Sequence, residues 1–515
     1  MSGASSLSLL ALLAVLVPIT GGLLVFTAGR WNHRAAGLAV VGVVSLGSFA
    51  IVIVMTIAMA WQASHGLQAE SVLFTLVPPI DIALRVDAMG ALFAATIAAL
   101  VPLALAHAVG YLPDDARQWK FHGFVLVSLG CMTGVALSAN LVTLLLFYEL
   151  FSLLAWPLIV HERTPEAFRA GVKYLVYILS GGGMVFAGVA LVYWLADSAQ
   201  FMPGGLLSHS MLDELPRGGL IAACCLLLAG FGVKAALMPL HGWVPDAHPA
   251  APAPFSAVLS GVMVAVGVFA ILRVLLEIFG PALLVELGVL PWLAGFAGVA
   301  VVAAAILAVA EDDLKRRLAY STISQMAYVS LAVTLLDPTA LAGALAHITH
   351  HAFFKGGLFF CAGSILALTG LRKISRMRGL GRRMPWTAGT LTLLALAMMG
   401  IPPLSGFVGK WTLGSGMAQA GGFGHLAVIL LGSLLAAVYL WPVIYRIWQR
   451  PEDGDPMQDG PSADVGRERR RWMLFAVLAA GCITIALGVA AGLPGFPLEL
   501  ARLAADQLLG VSAWK

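Results

Sequence analysis

Apolar runs of about 20 residues, separated by short polar breaks, repeat along the whole chain. They lie near 6–28, 36–61, 88–110, 121–138, 140–160, 168–194, 218–240, 254–279, 287–310, 318–336, 339–369, 386–412, 425–449 and 472–492. Each has the length a helix needs to cross the hydrocarbon core of a bilayer. Two of the runs are interrupted. The seventh contains Phe231-Gly-Val-Lys-Ala-Ala-Leu-Met-Pro-Leu-His-Gly-Trp-Val-Pro-Asp246, with Lys234 in apolar sequence and Pro239 five residues later. A central lysine costs a membrane helix roughly 2.5–3.5 kcal/mol, and a proline strips a carbonyl of its helical donor. Together they predict a broken helix lining a polar cavity inside protein.

The twelfth run repeats the device in Met399-Gly-Ile-Pro-Pro-Leu-Ser-Gly-Phe-Val-Gly-Lys410. Runs seven and twelve are five apart and so point in opposite directions. Runs 4–8 and 9–13 then read as two units of inverted topology, and a matched pair of interrupted spans marks a transport site. Lys234 precedes its proline and Lys410 follows its pair, and the two lysines read as counterparts. The expected fold is an all-α polytopic membrane protein of about 14 transmembrane helices, with two inverted five-helix repeats and broken helices 7 and 12. The expected segments are 1–119 (three helices), 120–280 (first repeat), 281–450 (second repeat) and 451–515 (loop, last helix and tail).

Charge orients this arrangement. Of the 30 Lys and Arg, 22 fall in loops after odd-numbered runs or at their ends, from Arg30 and Arg34 to Arg467–Arg471. Arg85, Arg217, Arg502 and Lys515 fall on the other side, and Lys234, Arg273, Lys355 and Lys410 lie within spans. The positive-inside rule makes the basic side cytoplasmic and puts both termini outside, in a bacterial-type inner membrane. A miscount in mid-chain would scramble the split.

Composition agrees: 60% hydrophobic and 11% charged, with a mean hydropathy of +0.93. That excludes a set of soluble domains, which carry about 25% charged residues. The first run has no cationic stretch before it and no cleavage signal, so it reads as a membrane helix rather than a removed leader. The five cysteines lack metal-ligand spacing and read as small core residues. Pro451–Arg471 is a polar loop whose basic end anchors the last helix at the headgroups, and Gly495–Gly510 has the leucines of a short interfacial helix.

The chemistry lies in ionisable residues within spans. Glu149, in Leu144-Leu-Leu-Phe-Tyr-Glu-Leu-Phe-Ser-Leu-Leu154, needs a cationic partner or a proton, and Lys234 is the natural partner. Lys173 is a second cation for Glu149 or a snorkelling side chain. In the eleventh run His347, His351 and Lys355 recur every fourth residue, on one helical stripe. The stripe lacks a third zinc ligand and fits a proton relay better. Ser321, Thr322, Ser324 and Gln325 either extend a wet path or join helices. His241, Asp246 and His248 flank the break as a cytoplasmic entry or a solvated helix end, and Arg273 and Glu277 read as a local pair. No flavin, haem, iron–sulfur or nucleotide motif is present. No cofactor, metal or nucleic acid is expected, and any driving reaction must come from partner subunits.

Several blocks in one order carry a resemblance: Phe147-Tyr-Glu149-Leu, Lys234 with Pro239-Leu-His-Gly-Trp-Val-Pro-Asp-Ala-His248, Asp313-Leu-Lys-Arg-Arg-Leu-Ala-Tyr-Ser-Thr-Ile-Ser-Gln325, His351-Ala-Phe-Phe-Lys-Gly356 and Gly400–Lys410. The chain resembles the antiporter-like proton-translocating family. That family includes the large membrane-arm subunits of respiratory complex I, the A and D subunits of Mrp cation/proton antiporters, and their counterparts in membrane-bound hydrogenases. The resemblance implies 14 helices in inverted repeats, Glu149 and Lys234 as a coupled pair, and Lys410 as the far channel residue. Many relatives have a central lysine in helix 8, where this chain aligns Ala265. Three functions stay open: a proton-conducting subunit of a redox complex, part of a Na+(K+)/H+ antiporter, and a proton-coupled partner for inorganic-carbon uptake.

Overall fold

The computed structural model describes residues 2–30, 34–63, 69–113, 115–207, 215–450 and 471–510. The polar loop expected at Pro451–Arg471 lies outside the described residues except for Arg471, which starts the helix Arg471–Val489. In chain order the elements are α1 (Ser2–Arg30), α2 (Arg34–Ala63), β1 (Ala69–Val77), β2 (Ile80–Val86), α3 (Ala88–Tyr111), α4 (Gln118–Ala136), α5 (Leu141–Ile159), α6 (Pro165–Ala196), α7 (Arg217–Lys234) and α8 (Val244–Ala250). One rod follows, made of α9 (Ala253–Val258) and α10 (Val264–Arg273) with wider turns at Leu259–Met263 and Val274–Phe279. Then come α11 (Gly280–Leu287), α12 (Leu290–Ala310), α13 (Leu314–Val333), α14 (Pro338–Thr369), α15 (Leu380–Arg383), α16 (Pro385–Met399), α17 (Ser405–Gln419), α18 (Phe423–Trp448), α19 (Arg471–Val489) and α20 (Pro497–Leu509).

Among the described residues, eleven helices are long and apolar enough to cross a membrane. The runs expected at 121–138 and 318–336 are helical as α4 and α13, but polar residues set them apart. In the seventh run the helix stops at Lys234 and α8 begins only beyond the run, at Val244, while the twelfth is split into α16 and α17. Short polar residues start many of the helices. Asp87, Asn140, Thr164, Asp313 and Asp337 each accept a hydrogen bond from a backbone N–H in the first turn of α3, α5, α6, α13 and α14. Such a cap contributes about 0.5–2 kcal/mol.

Two elements depart from an all-helical reading. The stretch 69–86, between the second and third apolar runs, is an antiparallel hairpin turning at Pro78-Pro79. Its second strand lies over the ends of α4 and α5, through Arg85 N to Leu137 O (2.7 Å) and Ala139 N to Ala83 O (3.0 Å). Alternation in Ile80-Asp-Ile-Ala-Leu-Arg-Val86, apolar at every second position, was the available signal. Near the other end of the chain, α20 is the short helix expected there. Its Leu498, Leu500, Ala501, Ala504, Ala505 and Leu508 are buried, and it packs on α3 and α14. Of the cysteines, Cys131, Cys224 and Cys361 are buried, whereas Cys225 and Cys482 face outward, so two of the five are not core residues.

At the hairpin's end of the bundle, Arg273 and Glu277 form the expected local pair (2.5 Å), but as part of a larger network. Arg273 holds both Asp87 carboxylate oxygens at 2.7 and 2.8 Å. Arg85 reaches Asp87 at 2.9 Å, Glu277 at 2.5 Å and the Phe201 carbonyl at 2.7 Å. Two arginines and two carboxylates neutralise one another and tie β2, the start of α3 and the end of the 253–279 rod together. The sequence missed this because Arg85 and Asp87 are about 190 residues away from their partners.

The core is organised around α14 and the rod. Every residue of α14 from Ala340 to Ile365 is buried, as is every residue of the rod. Helices α3, α9, α13, α16, α17, α19 and α20 surround α14, so its polar groups meet protein rather than lipid.

Removing one member of a buried charge network leaves the others uncompensated, which costs about 3–5 kcal/mol. Arg273→Ala is therefore expected to lower the thermal midpoint of the detergent-purified protein clearly. Arg169→Ala, which breaks an exposed pair with Glu166, is expected to leave that midpoint unchanged. Differential scanning fluorimetry distinguishes them, and equal midpoints for the two variants would refute the structural role of the network.

Candidate functional site

Both broken helices end in the same way. Helix α7 stops at Lys234, five residues before Pro239, and α16 stops at Met399. In each, the next turn places one residue in the left-handed region, Ala236 (φ 58°) and Gly400 (φ 94°). The following N–H folds back to a carbonyl inside the helix: Leu237 N to Gly232 O at 2.9 Å, and Ile401 N to Leu396 O at 3.1 Å. This is the hydrogen-bond pattern of a glycine-type helix stop. Gly400 adopts it freely, while Ala236 does so at a cost of about 1–2 kcal/mol. A proline follows three positions later in both, Pro239 and Pro403.

The shared backbone sets a register between the breaks. It matches Lys234 with Met398 and Lys410 with Asp246. An inverted repeat keeps its chain order, so the two lysines are not positional counterparts, contrary to the sequence expectation.

Lys234 is fully buried. Its Nζ donates to Tyr174 Oη (3.0 Å) and Ser152 Oγ (3.3 Å) and lies 4.4 Å from the centre of the Phe151 ring. Tyr174 in turn donates to the Ser152 carbonyl (2.8 Å). Glu149 stands on the same helix as Ser152, three residues before it. It is half-buried, its Oε1 has no hydrogen-bond partner, and its carboxylate fills the space beside Gly182 of α6. Glu149 and Lys234 feel each other electrostatically but form no ion pair. Ser152 and Tyr174 were not singled out in the sequence, although Ser152 shares the Glu149 face at helical spacing.

Lys173 does not serve Glu149. It pairs with Asp246 at 2.6 Å, about 13 Å along α6 from Gly182 at 1.5 Å per residue. Arg316 approaches the same Asp246 at 3.8 Å. These groups line a cavity of about 590 Å³ at the basic face, together with Glu162, Glu311, Asp313 and Arg372. His241 is half-buried near Lys173. His248 is buried, with Nδ1 3.0 Å from Val244 O and Nε2 without a partner.

The stripe on α14 is real. The His347 and His351 rings are 6.2 Å apart, and neither has a hydrogen-bond partner on its ring nitrogens. Lys355 donates to Ser321 Oγ and to Leu318 O (3.4 Å) on α13. Thr322 shares a 2.6 Å hydrogen bond with Ser260 of the rod. Ser324 donates to the Val301 carbonyl, and the side-chain nitrogen and oxygen of Gln325 have no hydrogen-bond partner. Lys410, near the start of α17, donates to the Met398 carbonyl (2.7 Å) and more weakly to that of Met399 (3.4 Å). Among the described residues none of Lys234, Lys355 and Lys410 has a carboxylate at ion-pair distance, and no group of His, Cys, Asp and Glu is arranged to hold a metal. Ala265 lies fully buried in α10, which touches both α7 and α13.

The family profile described as "NADH:quinone oxidoreductase/Mrp antiporter, TM" matches residues 138–436, a span that takes in Glu149, Lys234, the α14 stripe and Lys410. The chain belongs to this family. The N subunit of the NADH-quinone oxidoreductase of Desulforudis audaxviator (strain MP104C) is 34% identical over 421 residues, covering 80% of this chain and 82% of the relative. The D subunit of the Na(+)/H(+) antiporter of Alkalihalophilus pseudofirmus is 27% identical over 513 residues, 97% of each chain. The fold matches a chain in the structure of the Mrp complex from Dietzia sp. DQ12-45-1b with a TM-score of 0.83, 23% identity, and coverage of 98% of this chain and 97% of that one. At that identity the likeness speaks for the fold alone. These relatives and structural neighbours are subunits of multi-subunit membrane complexes, and this chain is a multi-pass membrane protein of the same family.

A methyl group on Gly182 would overlap the Glu149 carboxylate, whereas one on the adjacent Gly183 meets nothing within 4 Å. Gly182→Ala is expected to reduce proton movement in membrane vesicles several-fold by displacing Glu149, and Gly183→Ala to leave it unchanged. A pH-sensitive dye reads both, and normal movement with Gly182→Ala would count against a role for the carboxylate's position.

Proposed function

We propose that the chain is a proton-translocating antiporter-like subunit of a multi-subunit membrane complex. The observation that carries this is the company of the buried lysines. Lys234, Lys355 and Lys410 are held by hydroxyls, carbonyls and aromatic rings rather than by carboxylates. A structural lysine in an apolar interior needs a counter-ion. One held by neutral partners can give up its proton without leaving a buried anion behind.

In this reading Glu149, Lys234, His347, His351, Lys355 and Lys410 form the translocation set, with Lys173, His241, Asp246 and His248 at the entry. A carboxylate near a buried lysine favours the charged form, and its withdrawal favours release. Glu149, loosely held beside Gly182, supplies that control over Lys234. The α14 stripe then links the first half to Lys410. The basic face, with its charged cavity, is the cytoplasmic side of a bacterial-type inner membrane, and both termini lie outside. The chain crosses the membrane 14 times, with inverted repeats at 120–280 and 281–450 between the 1–119 and 451–515 segments. Moving one charge against 100 mV requires about 2.3 kcal/mol, so partner subunits supply the driving reaction.

A second reading is favoured by the nearly full-length match to the D subunit of a sodium/proton antiporter: the chain exchanges Na+ or K+ for protons alongside smaller partners. Proton movement that depends on added Na+ or K+ in vesicles separates it from the first.

Lys234→Ala and Glu149→Ala are each expected to lower coupled proton movement to background while the chain still co-purifies with its complex. Measured by dye quenching in everted vesicles, parent-level pumping by either variant would sink the proposed mechanism.

A further inference from the structure

Tyr328 of α13 is a large aromatic residue that the family blocks and the polar pattern both pass over. It is fully buried, and its ring meets two members of the translocation set. It stacks on the His347 ring at 5.8 Å and 22°, and the Lys410 ammonium lies 5.5 Å from its centre. Its hydroxyl points elsewhere. The phenol oxygen is 3.4 Å from both the Ile429 carbonyl and Ser433 Oγ of α18. There it presses on Gly432, where an added Cβ would lie 2.5 Å from that oxygen. Helix α18 carries none of the translocation set, so the ring is braced from outside the path.

The rest of the Lys410 surroundings leaves the ring a defined task. Among the described residues the ammonium is otherwise tied to the Met398 and Met399 carbonyls. The titratable groups facing it come from α14, where His347 and, beyond Gly409, His350 approach, and where Lys355 adds like charge. A cation over an aromatic face gains about 0.5–2 kcal/mol, more as water is excluded. A ring that touches an imidazole and an ammonium at once favours the charged form of the lysine and fixes the geometry between the two groups.

We propose that Tyr328 is a positioning residue of the far half-channel: its aromatic face, not its hydroxyl, holds Lys410 against the histidine stripe and sets when that lysine is charged. The proposal rests on the translocation reading above and names the residue that controls its last step.

The two stand or fall separately in one series of variants, made in the full chain and assayed as assembled complex in everted vesicles across pH. Lys410→Ala at parent-level transport would overturn the translocation reading itself. With that variant inactive, Tyr328→Leu is expected to displace the pH profile by about one unit, equivalent to about 1.4 kcal/mol. Tyr328→Phe, which keeps the face and loses the hydroxyl, is expected to retain the parent profile. A Leu profile that coincides with the parent's overturns the proposal, as does a Phe profile displaced as far as that of Leu, which would make the hydroxyl the active group. Where Leu fails to assemble, Gly432→Ala decides. Its methyl presses on the phenol of Tyr328, and on Val301 Cγ1 at 2.6 Å, while substituting no titratable group. A displaced profile supports the proposal and an unchanged one overturns it.

Discussion

A charge can be kept inside a bilayer only where protein, not lipid, surrounds it. The rest of this structure follows from that constraint. Helix α14 places three histidines and a lysine within apolar sequence, and it can do so because a full sheath of helices leaves no residue from Ala340 to Ile365 exposed. The sheath is in turn held at one end by the Arg85–Asp87–Arg273–Glu277 network and by α20. Those features carry no ion themselves, but they tie together elements that pack against α14.

Breaking a helix inside such a sheath creates a second problem, because the last carbonyls lose their donors. The two breaks resolve it with one backbone turn and different side chains. Trp243 Nε1 donates to the Val233 carbonyl at 2.8 Å in the first. Lys410 Nζ donates to the Met398 carbonyl in the second. The first donor is permanently neutral and the second is titratable. Helix ends with the same geometry therefore differ in chemistry: one is closed by an indole, the other by a titratable group. Lys234 is left free of capping duty and turns to Ser152 and Tyr174 instead.

Much of this was legible in the sequence. Run length gave the helices, the lysine–proline pairs gave the breaks, and helical spacing gave the His347–His351–Lys355 stripe, because each depends on residues close together in the chain. What was not legible depends on distant residues. The partnership of Arg85 with Glu277, the diversion of Lys173 to Asp246, and the place of Tyr328 beside Lys410 are set by packing between helices. The expected equivalence of Lys234 and Lys410 failed for a different reason. It compared lysines rather than backbones, and only the left-handed residues at 236 and 400 reveal the register. The hairpin was hidden because its alternation is short and lies among longer apolar runs.

Ala265, where the resemblance led us to expect a lysine, takes on physical meaning once α10 is placed. From Gly261 to Leu272 the rod has no polar side chain, and Gly267 sits against the backbone of Ala235 with no room for a side chain between them. Lys234 and the α14 stripe thus face a shared apolar wall. Its polar margin is the Ser260–Thr322 hydrogen bond, next in sequence to the Ser321 that holds Lys355. A proton crosses apolar protein only along water or hydrogen-bonding groups, but a charge acts across it with little screening, because the dielectric there is low. Any hydrogen-bonded connection between Lys234 and the stripe runs past the rod's polar edge at Ser260 rather than through its centre at Ala265.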